Sequence, residues 1–257
     1  MNIFVFDIET IPDVALGRKL LHLSDELPDE EVAKAMGLVS KEKTGSDFLR
    51  HHLHRVVAIS AVFRHRDSLK VWSLGDEASD EKEIIERFFS GINKYKPTLV
   101  SWNGSGFDLP VLHYRALMHG VKSDAYWETG DFDSNFRWNN YLNRYHNRHL
   151  DLMDTLSGYQ ARAYAPLDEI ALSLGFPGKM GMEGSQVYGA FVRGEIKTIR
   201  DYCETDVLNT YLVYLKFELI RDKLTQEEYG EEVDRVKAYL ESEGHPHFLA
   251  FLEAIQS

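Results

Sequence analysis

The opening of the chain constrains its fold more than any other stretch. Residues 2–6 (NIFVF) are apolar, aromatic and β-branched, which reads as a buried strand, and the run meets an acid at Asp7. In open α/β sheets, ligands bind at the carboxyl ends of strands. A nucleotide-binding doubly wound fold would hold a glycine-rich turn at this point. The chain holds Asp7-Ile8-Glu9-Thr10-Ile11-Pro12 instead. A glycine-cradled phosphate site is therefore excluded after the first strand, and a pair of carboxylates takes its place.

The remaining pattern builds a mixed sheet. Residues 13–54 read as a helical insertion broken at Gly37 and Gly45. Residues 56–63 and 69–74 read as two strands of a hairpin, joined by a polar turn at 64–68. Over 80–95, Ile84, Ile85, Phe88, Phe89 and Ile92 recur at helical spacing, and Pro97 ends the helix. A short buried strand follows at 98–102, then a helix at 109–119 with Pro110 in its first turn. Residues 120–148 form a long polar and aromatic loop or small insertion, and 149–153 a fifth strand. Helices follow, with a glycine-rich interruption at 175–184, a strong helix over 200–224 and more helix over 226–257. This order predicts an α/β fold with a mixed five-stranded central sheet and helices on both faces. We expect one domain over 1–220, with insertions at 13–54 and 120–148, and a helical C-terminal appendage over 221–257. No run of 18 apolar residues suggests a membrane span, and the N-terminus lacks the basic region of a signal peptide. The single cysteine, Cys203, excludes an internal disulfide and a cysteine-built metal site, and a reducing cytoplasm fits.

Acids recur where strands end. Asp7 and Glu9 are two residues apart, so an extended chain points them to one side, where they repel unless a cation intervenes. Hard divalent ions such as Mg²⁺ favour such oxygens. Asp108 follows the turn Asn103-Gly104-Ser105-Gly106-Phe107, either as an N-cap or as a third ligand at a strand's carboxyl end. Tyr202 and Asp206 are four apart, on one face of a helix whose other residues are apolar. Four acids on three elements could converge around two metal ions about 4 Å apart, the arrangement used for phosphodiester hydrolysis.

These segments carry a resemblance. FDIET at 6–10, the run from Asn103 through Phe107 and Asp108 to Leu112, and YCETD at 202–206 resemble the three motifs of the DEDD exonucleases. They look most like the proofreading domain of B-family DNA polymerases, in its tyrosine-type (DEDDy) branch, carried by a stand-alone bacterial protein with no room for a polymerase. The resemblance covers residues 2 to about 215 and implies a ribonuclease H-like fold. It implies 3′→5′ release of nucleoside monophosphates with two Mg²⁺ or Mn²⁺ ions, from single-stranded nucleic acid ends, DNA in preference to RNA. Carried over by position, Asp7 would bridge both ions, Glu9 and Asp206 would hold the ion that activates water, and Asp108 would support the second. Tyr202 would orient the water, and Thr10, Asn103 and Phe107 would lie near the terminal nucleotide. An RNA exonuclease with the same site is the enzymatic alternative. A catalytically silent nucleic-acid-binding module is the non-enzymatic one, against which the intact acid set argues.

Lys179, in the glycine-rich stretch 175–181, fails as a phosphate-loop lysine because Met180 follows it, but is a candidate contact to a substrate phosphate. Arg137, Arg144, His146, Arg148 and His149, interleaved with Phe136, Trp138, Tyr141 and Tyr145, could either stack bases or turn their aromatics inward. His51, His52 and His54 read as a solvated edge before a strand, and Cys203 as a small core residue. The net charge of −12 alone argues against a nucleic-acid partner. Residues 25–31, 76–86 and 222–243 together carry −15, however, leaving the rest of the chain at +3. The acidity is peripheral in sequence and does not forbid the substrate.

Overall fold

The computed structural model describes residues 2–256. Five strands form one sheet: β1 (Asn2–Pro12), β2 (His54–His65), β3 (Ser68–Ser73), β4 (Thr98–Ser101) and β5 (His149–Asp151). Their order is β3-β2-β1-β4-β5. The first three strands are antiparallel, whereas β4 and β5 run parallel to β1. The helices are α1 (Val14–Leu21), α2 (Asp29–Thr44), α3 (Glu81–Tyr95), α4 (Asp108–His119), α5 (Asp124–Trp127), α6 (Leu152–Leu156), α7 (Leu167–Ser173), α8 (Val187–Val192), α9 (Ile196–Ile220), α10 (Gln226–Glu243) and α11 (Pro246–Gln256). With helices on both faces of a mixed sheet, this is a ribonuclease H-like α/β architecture. Among the described residues no helix is long and apolar enough to cross a membrane.

Two apolar cores follow from the period-2 alternation of β1. Phe4, Phe6 and Ile8 pack with Ile84, Ile85, Phe88, Phe89 and Ile92 of α3 and Leu112 of α4. Ile3 and Val5 face the other way, onto Val207, Leu208, Tyr211 and Leu212 of α9, and Val236, Leu240, Phe248 and Phe251 of α10 and α11 extend that core. Asp7 and Glu9 continue the Ile3–Val5 face. The alternation that builds the core thus also aims both carboxylates at α9.

Several sequence expectations shift. The first strand does not stop at Asp7 but runs to Pro12, with a register irregularity between Glu9 and Thr10, because β2 is long enough to pair along its whole length. Gly37 lies inside α2, and the break falls earlier, at 22–28. Gly45 does end α2, at φ 81°, in the left-handed region that glycine tolerates. The long helix begins at Ile196 because Ile199 extends its buried face, and it ends at Ile220. The insertion α1–α2 has its own small core of Val32, Met36 and Leu49.

Candidate active site

β4 pairs with β1 only from Ile3 to Val5. Beyond that point β1 continues against β2 alone, so Asp7 and Glu9 project into a notch past the carboxyl end of β4. The turn leaving β4 brings the third acid back to this notch. Asn103 sits at φ 64° and accepts hydrogen bonds at its carbonyl from the amides of Gly106 and Phe107. A Cβ on Gly104 would collide with Ser101 Oγ, so this turn needs glycine. Asp151, at the end of β5, fixes the turn from the other side, accepting the Asn103 amide at 3.0 Å and the Ser105 amide at 2.8 Å.

Asp108 is not the N-cap of α4. Phe107 holds that position, and Asp108 is the first helical residue. Its carboxylate instead reaches β1, where Oδ1 accepts the Ile8 amide at 3.2 Å, between Asp7 and Glu9. From α9, buried Tyr202 and half-buried Asp206 face the same notch and hydrogen-bond to each other. Cys203 is fully buried in the core, as its composition suggests, and its thiol also donates toward Asp7, with Sγ 3.5 Å from the carbonyl and 3.6 Å from Oδ2.

The electrostatics of the notch are unfavourable by themselves. Burial pushes Asp7 well above the usual carboxylate range, and Asp108, Glu9 and Asp206 push it further. Glu9 rises for the same reasons: burial first, then the charges of Asp206 and Asp108. Burial raises Asp108 to about 7 against the opposing pull of its backbone amide donors. It raises Asp206 to about 6, and drives the Tyr202 phenol up so that it stays protonated. Oxygen-rich, desolvated and mutually repelling, this donor set suits hard divalent cations. The acids Asp7 and Glu9, with Cys203 Sγ, offer ligand atoms within 4.8 Å of one another. A second group, Asp201, Glu204 and His247, meets the same spacing on the outer side of α9, but its members already pair with each other.

The other expected contacts gather around this notch to different degrees. Thr10 follows Glu9 and hydrogen-bonds His54 Nδ1 at 2.9 Å. Lys179 is exposed, and its charge reaches Glu9 and Asp206 and holds both lower than they would otherwise be. Its loop is tied to α9 through Asn209, which accepts the Gly178 amide and donates to the Gly178 carbonyl. His54 is not at a solvated edge. It is buried, burial holds it neutral, Nε2 donates to Leu49 O at 3.1 Å, and Nδ1 therefore accepts the Thr10 hydroxyl. The basic aromatic stretch divides. Phe136 and Tyr141 turn inward, with the Arg148 guanidinium 3.9 Å from the Phe136 ring centre, while Trp138 and Tyr145 stay exposed. Asp151, Asn209 and His54 escaped sequence reasoning as site-supporting residues. Asp151 alone carried a signal, as one more acid at a strand's carboxyl end.

Over 143 residues the chain is 29% identical to the catalytic polypeptide of DNA polymerase epsilon from Emericella nidulans, covering 54% of this chain and 6% of that polypeptide. It is 25% identical over 147 residues to the Saccharomyces cerevisiae counterpart, with the same coverage of 54% and 6%. A DNA polymerase of Archaeoglobus fulgidus is 28% identical over 169 residues, 60% of this chain and 21% of that enzyme. The chain thus spans a small fraction of the length of these relatives. A family defined as "Predicted 3′-5′ exonuclease related to the exonuclease domain of PolB" matches residues 46–255, a span that contains Asp108, Tyr202 and Asp206 and begins after Asp7 and Glu9. With most of its length inside that match, the chain belongs to this family of exonuclease domains related to that of PolB.

Proposed function

We propose that the protein is a 3′→5′ exonuclease that hydrolyses the terminal phosphodiester of single-stranded DNA and releases nucleoside monophosphates. The observation that carries this reading is the meeting of Asp7 and Glu9 with Asp108 and Asp206 in one desolvated notch. Asp7 would contact both of two divalent ions, Mg²⁺ or Mn²⁺, with Glu9 and Asp206 on one and Asp108 on the other. When bound, such ions lower the pKa of an attacking water and neutralise charge on the leaving oxygen.

The chain's own residues supply the rest. Tyr202, kept protonated, can donate or accept at one oxygen and so orient a water toward the phosphorus. Asp206 fixes the phenol's direction through their shared hydrogen bond. Asp151 holds the turn that carries Asn103 and Phe107, which would flank the terminal sugar and base. Lys179 would meet a phosphate oxygen from the open side. Discrimination of DNA from RNA would rest on contacts to a 2′-hydroxyl.

The test is a denaturing gel of 5′-labelled single-stranded DNA and RNA of matched sequence, with EDTA or Mn²⁺. We expect a ladder shortening from the 3′ end only with Mn²⁺, faster on DNA. Faster loss of RNA would reassign the substrate. No shortening of either strand would leave a binding module.

A further inference from the structure

The α1–α2 insertion ends at the notch, and its last residues touch two of the proposed substrate contacts. Phe48 packs its ring 5.5 Å from Phe107 and 5.2 Å from His54, centre to centre. Phe107 in turn meets His54 edge-on at 5.1 Å. Two hydrogen bonds tie this segment to the motif residues: His54 to the Thr10 hydroxyl, and His51 Nε2 to the Gly106 carbonyl at 2.7 Å.

Phe48 is nonetheless 59% exposed, while its neighbour Leu49 is buried in the insertion's core. Other aromatics such as Trp138 and Tyr145 are also exposed, but Phe48 is the one that packs against Phe107 at the notch. The pinning is specific. Ser40 Oγ donates to the Phe48 carbonyl at 2.7 Å, and the Phe48 amide donates to Ser46 Oγ at 3.1 Å. Two residues on, Arg50 is exposed and basic. An exposed ring on a fixed backbone, in contact with Phe107, is preorganised to stack a nucleobase.

We propose that Phe48 is the stacking platform for the base next to the 3′-terminal one. The insertion thereby favours an unpaired strand, whose bases leave their own stack more readily to meet the ring. This rests on the exonuclease reading for the direction of the strand. The Phe48 contact itself is testable without hydrolysis.

The experiment measures binding of single-stranded DNA labelled with 5′-fluorescein and carrying 2-aminopurine at the second position from the 3′ end, in Ca²⁺, by fluorescein anisotropy, with the 2-aminopurine emission read alongside. A parallel strand has an abasic sugar there. The full chain should bind the intact strand about tenfold more tightly than the abasic one, with the fluorophore quenched. Phe48→Ala should bind both strands alike and lose the quenching, and Phe48→Trp should restore the difference. Phe48→Leu keeps the apolar packing and should behave as Phe48→Ala. In Mn²⁺, Phe48→Ala should raise KM for the intact strand about tenfold and leave kcat within about twofold. Wild-type protein that prefers neither strand overturns the proposal, as does a preference that survives in Phe48→Ala. If the preference depends on Phe48 but no strand is shortened in Mn²⁺, the platform stands and the exonuclease reading falls.

Discussion

Two buried acidic regions flank α9, and they are built on opposite principles. Glu232 of α10 lies against Arg64 of β2, which donates to both carboxylate oxygens at 2.8 and 2.6 Å, and Tyr211 adds a third bond at 3.1 Å. Burial would raise Glu232, but the Arg64 bonds and charge outweigh it and hold the group below the usual carboxylate range. On the sheet's other side, Glu81 is likewise enclosed by Arg115, His119 and the Val56 amide. The notch at Asp7 has no such enclosure, and each of its acids is raised. At Glu232 and Glu81 the fold supplies an arginine to a single buried carboxylate. Where four acids meet, the exposed Lys179 offsets only part of their repulsion, and the rest of the compensating charge must come from outside.

That contrast breaks down if the two regions respond alike to mutation. Asp7→Asn should lower nucleotide release at least about a thousandfold, roughly 4 kcal/mol of barrier. It should also raise the melting temperature of metal-free protein by a few degrees, because it removes one of the repelling charges. Glu232→Ala should do the reverse. Leaving Arg64 buried and unpaired costs about 3–5 kcal/mol of stability, while turnover per folded molecule stays near wild type. Thermal unfolding in EDTA and the gel assay in Mn²⁺ measure both axes. A destabilised Asp7→Asn, or a folded but inactive Glu232→Ala, would erase the distinction.

The sequence disclosed the acids because chemistry constrains their spacing. D-x-E on a strand, Asp108 after a glycine turn and Tyr202 with Asp206 on one helical face are local patterns, and alternation along β1 decides which face they share. The mixed sheet was legible for the same reason, because one hairpin and two crossovers leave few topologies, but its strand order was not. What stayed hidden depends on distant partners. Nothing near residue 151 says that its carboxylate clamps a turn near residue 104. The triple histidine looked solvent-facing because the helical insertion that buries His54 has no periodic signature of its own. Strand β1 looked short because polar residues suggest a strand's end, whereas here backbone pairing with β2 carries the strand through the acids. The pull of Arg64 on Glu232 spans 168 residues and leaves no local trace.

The smallest effect is the most diagnostic, because the two regions impose opposite pH slopes on stability. In metal-free protein Asp108 titrates at about 7 and Asp206 at about 6, against an ordinary aspartate value of 3.8. Between about pH 4 and 7 the folded chain therefore holds protons that the unfolded chain has released, and stability falls as pH rises through that window. Glu232 is depressed, so its contribution is complete above its unfolded value of 4.5 and is lost only as pH falls through its lower folded value. Buried His113 and His149, pushed down to about 4 by burial, add an opposing slope between about pH 4 and 6.5, where only the unfolded chain is protonated. The difference between variants is therefore the readout. In EDTA, Asp108→Asn should gain on wild type as pH rises from 5 to 7.5, by about 2–4 °C, on the order of 1 kcal/mol. Divalent ions bind only the deprotonated carboxylates, so Mn²⁺ should stabilise wild type more at pH 7.5 than at pH 5 and cancel that gain. Parallel melting curves for the two proteins across this range in EDTA would mean that Asp108 is compensated from within, as Glu232 is.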